Sequence, residues 1–369
     1  KIIKKYITRQ LNTLEHSMLA GLTHSPVIEL SEKLSKLTNL GHCSYGSDGA
    51  NAVEIALKMS SHYWNQTGFP SKNKYIYLEN SYHGETLGAL AVTDVPIFRT
   101  HYGALIKNYI KTDSPDLRLK KNNQSSDEFL DEKLKKLTKI FEKNHQVTAS
   151  IIIEPMVQCA SGMGIYDARF LEGVRKLCDQ YEVHLIADEI AVGFGRTGKM
   201  FAHQHAKITP DFVCLSKGLT GGYLPMSVTL TSDKIYNAFY DDDIKKGFLH
   251  SHSYTGNPLA CSAALGTLSI FESDKVLKKN LTLSKKINRL FSSLEDLPIS
   301  DLRNIGMIWA FELDSKISID KVLAYSLNNG VLIRPIDNTI YFMPPYCIKE
   351  SEAREMIKIT REAILYAST

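Results

Sequence analysis

HLIADEIAVGFGRTGKMFAHQHAKITPDFVCLSKG, residues 184–218, holds two short apolar runs, His184–Glu189 and Phe212–Ser216, on either side of a polar, glycine-rich segment. Each run has strand length and is apolar throughout rather than in alternation. Strands of that kind are buried on both faces, as in parallel sheets covered by helices. Ligands of open α/β sheets sit beyond the carboxyl ends of the strands. The first run delivers Asp188 and Glu189 to that edge. The second delivers Lys217, followed by Gly218 and Thr220-Gly221-Gly222.

Two carboxylates at such an edge need a partner or a task, because unpaired buried charge is costly. A lysine among glycines is suited to Schiff-base formation. A carboxylate nearby can hold a pyridinium nitrogen protonated. Lysine and acid together are what pyridoxal phosphate (PLP) chemistry requires. A structural Lys–Asp ion pair is the simpler reading of the same spacing.

Outward from this stretch the apolar periodicity alternates between strand and helix. Upstream, residues 1–40 read as a helical, polar lead-in, with Ser31–Leu40 amphipathic. Gly49–Trp64 has helical spacing, Tyr75–Leu78 is a strand, Lys107–Asp131 is mostly loop and Glu132–Lys143 is helix. Ala149–Glu154 is a strand, Asp167–Tyr181 an amphipathic helix and Met226–Thr231 a further strand, followed by helices over Gly256–Phe271 and Lys275–Leu294. The tail has short elements: strands at Met307–Leu313, Val331–Pro335 and Ile340–Met343, and helices at Ile319–Asn328 and Glu350–Ala367. These patterns predict a large α/β domain over 1–271 and a smaller α+β domain over 272–369.

The chain has 369 residues, enough for about two domains at roughly 100–200 residues each. Hydrophobic residues at 43% and charged residues at 23% exclude bulk disorder. A formal charge of +4 is too small to point to nucleic acid. No apolar run approaches the roughly 20 residues of a membrane helix. The basic start, Lys1-Ile2-Ile3-Lys4-Lys5, lacks the apolar run of a secretory signal. Six cysteines (43, 159, 178, 214, 261 and 347) are dispersed without a C-x-x-C pair and read as reduced thiols of the cytosol.

Three other motifs compete for a functional reading. Gly193-Phe-Gly-Arg-Thr-Gly198 matches G-x-G-x-x-G, but the next acid, Asp211, precedes its strand instead of closing it, and Asp188-Glu189 would repel a pyrophosphate. His203/His205 and His250/His252 are H-x-H pairs without a third ligand at metal spacing, so no metal is expected. Ser47-Asp48-Gly49-Ala50-Asn51 opens a helix. It is either a phosphate site made of free N–H groups or a helix capped by Asp48.

Several runs resemble class III, fold-type I PLP-dependent aminotransferases: Ser81-Tyr82-His83-Gly84, Ile153-Glu154-Pro155, Asp188-Glu189-Ile190 with Gly193–Gly198, Ser216-Lys217-Gly218, and Thr255–Ala260. Within the class, Thr220–Pro225, His250–Pro258 and Ile333-Arg334-Pro335 with Tyr341–Tyr346 resemble the branch that aminates 8-amino-7-oxononanoate for biotin synthesis. The resemblance implies a homodimeric cytoplasmic enzyme with a large, mostly parallel-sheet domain and a small C-terminal domain. Its implied cofactor is pyridoxal 5'-phosphate and its implied donor S-adenosylmethionine, with no nucleic acid and no membrane partner. Another ω-amino acid or diamine aminotransferase, or a PLP-binding protein without turnover, are the alternatives.

The resemblance also assigns roles. Lys217 bonds to the cofactor and shuttles the proton. Asp188 pairs with the ring nitrogen, and Tyr82 stacks on the ring and borders the substrate. Gly49 and Ala50 bind phosphate through backbone N–H groups. Ser251 lies near substrate, and His252 and Ser253 reach the phosphate in the neighbouring subunit. Arg334 meets a substrate carboxylate. The chain departs from the family pattern at Ala50, usually serine, at His252, usually proline, and at Ser253, usually threonine. The family's N-terminal segment, whose aromatics line the substrate pocket, has no counterpart in residues 1–40, so a trimmed chain or one lacking that part is expected.

Overall fold

The computed structural model describes all 369 residues. Its strands are β1 (His42–Gly46), β2 (Lys74–Leu78), β3 (Ile110–Thr112), β4 (Thr148–Ile153), the hairpin pair β5 (Val157–Gln158) and β6 (Gly164–Ile165), β7 (His184–Asp188), β8 (Phe212–Leu215), β9 (Ser227–Thr231), β10 (Ile299–Ile305), β11 (Ile308–Leu313) and β12 (Thr339–Phe342). A seven-stranded sheet has the order β1-β9-β8-β7-β4-β2-β3. Its pairs from β3 to β8 are parallel, whereas β8–β9 and β9–β1 are antiparallel. Two reversals leave β1 running with β8. The chain therefore leaves β1, β2, β4, β7 and β8 at one edge of the sheet, and the site is built there.

Both faces of the sheet are covered, which is why its strands are apolar throughout. Ile152, Ile186 and Phe212 pack under the helix Gly49–Gln66, with Val53, Ala56 and Met59. Their neighbours Ile151, Ile153 and Leu185 point the other way, onto the helices Ser126–Asn144 and Ala168–Tyr181. Each such side chain contributes about 1.5–3 kcal/mol when fully buried. β10, β11 and β12 form a separate antiparallel sheet whose core includes Trp309, Phe311, Phe342 and Ile364. No helix is long and apolar enough to cross a membrane.

Several elements differ from the sequence expectation. Residues 1–40 do contain helices, at Ile2–Leu11 and Ser25–Thr38, but the first is no lead-in. It packs on the helix Pro258–Ser273, burying Ile3 and Gln10, with a Ser262–Gln10 side-chain bond of 3.4 Å. Within 107–131 the structure has β3 and a helix that starts at Ser126, six residues before Glu132. That start is fixed by a capping box in which Ser125 and Glu128 satisfy each other's N–H groups. Val331–Pro335 is not a strand; only Ile336 bridges, to Thr339. Pro335 has no N–H to give a ladder, and Val331 donates instead to Ser326 O at the end of the preceding helix.

The glycine-rich loop after β7 docks the smaller sheet. Met307 N donates to Arg196 O (2.8 Å), Arg196 Nη1 to Pro344 O (2.6 Å), and Tyr346 Oη to Phe194 O (2.7 Å). Gly306, at φ 56°, comes so close that a Cβ there would lie 2.4 Å from Arg196 O. A half-buried ion network also joins the two parts. Glu312 accepts from Arg118 (2.8 Å), Arg303 (2.7 Å) and Thr339 (2.8 Å), while Arg118 also holds Asp116 (2.6 Å). Glu312→Ala leaves the Arg303 guanidinium without a carboxylate, whereas Arg118 keeps Asp116, and is expected to cost about 3 kcal/mol in urea unfolding. A loss below about 1 kcal/mol would mean that the network behaves as a screened surface pair.

Candidate active site

Five segments leave the sheet at the same edge. β7 ends on Asp188, which is 3% exposed. Its Oδ2 lies 2.7 Å from His83 Nδ1, and its Oδ1 accepts the Ile190 N–H at 3.1 Å. His83 follows β2 and is itself buried. Its N–H is fixed by Thr93 Oγ1 at 3.0 Å, while its Nε2 is buried without a partner.

Lys217 follows β8 and is exposed. It forms no ion pair, so the simple Lys–Asp pair is not what the structure contains: Asp188 takes His83, and Lys217 has no carboxylate within ion-pair distance. Lys217 also has φ 42°, a left-handed conformation that few non-glycine residues adopt. Such strain persists only where the surroundings hold it in place. Here Ser216 Oγ donates to Met226 O (2.8 Å) and Leu219 N to Ser216 O (2.9 Å), clamping both sides of the lysine.

The turn after β1 meets the same place. Asp48 caps the helix Gly49–Gln66, accepting the Asn51 N–H at 2.9 Å. The cap reading is therefore observed, and Gly49 and Ala50 keep free N–H groups at the positive end of an 18-residue helix, the feature a phosphate site needs. A Cβ on Gly49 would lie 3.0 Å from Ile190, and one on Gly84 would lie 2.6 Å from the Ala50 Cβ. Gly84 (φ 122°) thus lets the Tyr82-His83 segment press against the anion cradle.

Tyr82 is partly exposed, tilts on Phe98 at 5.1 Å, and donates its hydroxyl to Glu85 at 2.9 Å. Burial, then the Glu85 carboxylate, pushes its phenol upward, so it stays protonated. Glu189 turns away and accepts from Ala202 N (2.8 Å), His203 N (2.7 Å) and His203 Nδ1 (2.8 Å). His205 binds Thr197 O. His252 Nε2 lies 2.8 Å from Ser47 Oγ, and His250 Nε2 lies 3.1 Å from Asn51 Nδ2, so this segment braces its own chain's cradle. All four imidazoles of the H-x-H pairs are thus engaged within the chain.

Ser251 and Ser253 are exposed, as is Arg334, which has no ion-pair partner. Ile336, two residues on, packs in the cluster containing Val192, four residues beyond Asp188. His83, Glu154 and Glu85 have no role assigned by sequence reasoning. The signal available for the first two was their place just beyond β2 and β4.

This assembly of a free lysine, a buried acid with an imidazole behind it, and an anion cradle coincides with a family match. A model of class-III aminotransferases covers residues 2–364, and the chain belongs to that family. It is 44% identical over 368 residues to the adenosylmethionine-8-amino-7-oxononanoate aminotransferase of Helicobacter pylori, covering 96% of this chain and 82% of that protein. A crystal structure of an enzyme of the same name from Methanocaldococcus jannaschii superimposes with a TM-score of 0.92 at 34% identity, covering 100% of this chain and 86% of the other. An amine transaminase from an uncultivated Pseudomonas species, solved in its PLP-bound form, gives 0.93 at 28%, covering 99% and 87%. The fold is the α/β, fold-type I arrangement.

Proposed function

We propose that this chain transfers an amino group to 8-amino-7-oxononanoate, with S-adenosylmethionine as donor and pyridoxal 5'-phosphate as cofactor. The observation that carries this reading is the unpaired Lys217 beside the buried Asp188–His83 pair and the Gly49–Ala50 cradle. The residues fit the cofactor: free N–H groups suit its phosphate and a buried carboxylate suits its ring nitrogen. Bound PLP supplies an electron sink for the carbon that loses its proton. Asp188 holds the proton of the ring nitrogen. Lys217 Nζ, free of competing partners, moves the proton at the reacting carbon. Tyr82 orients the ring with a phenol that keeps its hydrogen. The higher identity to the oxononanoate enzymes than to the amine transaminase favours the oxononanoate substrate.

The same reading makes 1–271 the cofactor-binding domain and 272–369 the small domain of a cytoplasmic homodimer. Ile97, Leu105, Tyr240, Ile244, Leu249 and Tyr254 are each more than 60% exposed on two segments, apolar surface suited to a second copy. Ser251 is proposed to lie near substrate; exposed Ser253 is proposed to reach the phosphate across that contact, and His252, which holds Ser47 within its own chain, to position that segment for it. Sedimentation equilibrium of the holoenzyme tests the dimer. The reaction is tested by offering candidate donors with 8-amino-7-oxononanoate as acceptor. Turnover with S-adenosylmethionine alone is the expected result, and turnover only with ω-amino acids or diamines would overturn it.

Arg334 is proposed to grip the substrate carboxylate with its fork of donors. Arg334→Ala is expected to raise KM for the oxononanoate roughly ten- to a hundredfold, the scale of a charge-assisted bond at about 1.5–3 kcal/mol. Cofactor affinity should stay unchanged. Identical kinetics on every carboxylate substrate would remove Arg334 from the site.

A further inference from the structure

Three buried carboxyl groups stand at the carboxyl edge of the sheet, and their hydrogen-bond partners differ sharply. Glu189 accepts three bonds of 2.7–2.8 Å, one of them from an imidazole. Asp188 has the His83 imidazole at 2.7 Å and a backbone N–H at 3.1 Å. Glu154, just beyond β4, is 4% exposed and forms no ion pair. It accepts the Tyr82 N–H at 3.3 Å, with the Cys159 N–H nearby. The groups that face it are Asp188, Lys217, the Cys159 thiol and the Tyr166 phenol. Only Lys217 among these is a cation, and it is exposed and makes no contact with the carboxyl.

A carboxylate with no cation in contact and no short donor is poorly sustained in a dry site beside another negative charge. Burial, then the Asp188 charge, pushes the Glu154 carboxyl well above the usual carboxylate range. We propose that Glu154 is a neutral, proton-bearing positioning residue that fixes the backbone of Tyr82 and leaves Asp188 the single negative charge facing the cofactor ring. The positioning half of this rests on the PLP reading above, whereas the protonation state does not.

Two measurements test it. Infrared difference spectra of the cofactor-free protein, wild type minus Glu154→Gln, are expected to contain the C=O band of a protonated carboxyl at neutral pH. An ionised carboxylate band in its place would overturn the proposal, whether or not PLP binds. In the holoenzyme, Glu154→Ala is expected to lower kcat about tenfold, the scale of one lost buried hydrogen bond. Glu154→Gln, which keeps the acceptor without charge, should recover most of that loss and leave the pH titration of the bound cofactor's absorbance in place. A glutamine variant as impaired as alanine, or one with a shifted titration, would show that the carboxyl acts as a charge.

Discussion

Lys217→Ala is expected to lower transamination by at least about 10²–10⁴-fold, the contribution of a positioned acid–base group alone, while unfolding at the same denaturant concentration as wild type. The stability half follows from the surroundings. Lys217 is exposed and has no ion-pair partner, so truncation strands no buried charge. Its φ of 42° strains alanine and lysine alike, so the backbone cost is unchanged. Borohydride treatment of the holoenzyme should leave the cofactor attached to Lys217, as found by peptide mapping. Label on a different lysine would reassign the site, and a variant that unfolds early would assign Lys217 a structural task.

Asp188→Asn comes next in size, with an expected loss of about 10²–10³-fold in kcat, the scale of one electrostatic contact at about 2.7–4 kcal/mol. An amide cannot hold the ring nitrogen protonated, but its oxygen can accept from Ile190 N–H while its NH2 donates to His83 Nδ1 in the Nε2–H tautomer, so the pocket keeps its shape. Glu189 is poorly placed to substitute, because all its bonds go to Ala202 and His203. Near-normal transamination by this variant would mean that another group supplies the charge. Glu154 is then the remaining buried acid at that edge.

The central sheet was legible because β4, β7 and β8 are apolar throughout, a pattern that only double-sided burial explains. β1 and β10 were not, because His42–Gly46 and Ile299–Ile305 are polar edge strands whose pairing depends on distant partners. Val331–Pro335 misled because apolar residues before a proline look like a strand when no ladder neighbour is in view. In the site, Asp188 and Lys217 could be placed from strand ends alone. The His83–Asp188 bond spans 105 positions, and the contrast between Glu154 and Glu189 lies in their donors, so neither was readable without coordinates. The G-x-G-x-x-G run docks Gly306 and Met307, a contact that leaves no local trace in the sequence.

One consequence follows from how the edge of the sheet is populated. On the proposed reading, the groups that move or hold protons, Lys217 and Asp188, hang from β8 and β7, central strands of the sheet. Arg334, proposed to meet the substrate carboxylate, is exposed on an irregular segment. On that reading, chemistry and selectivity are carried by separately mutable material. Surface substitutions can drift, or be selected in the laboratory, towards new amine acceptors without disturbing the proton-handling groups, which makes the scaffold evolvable in substrate while conservative in reaction.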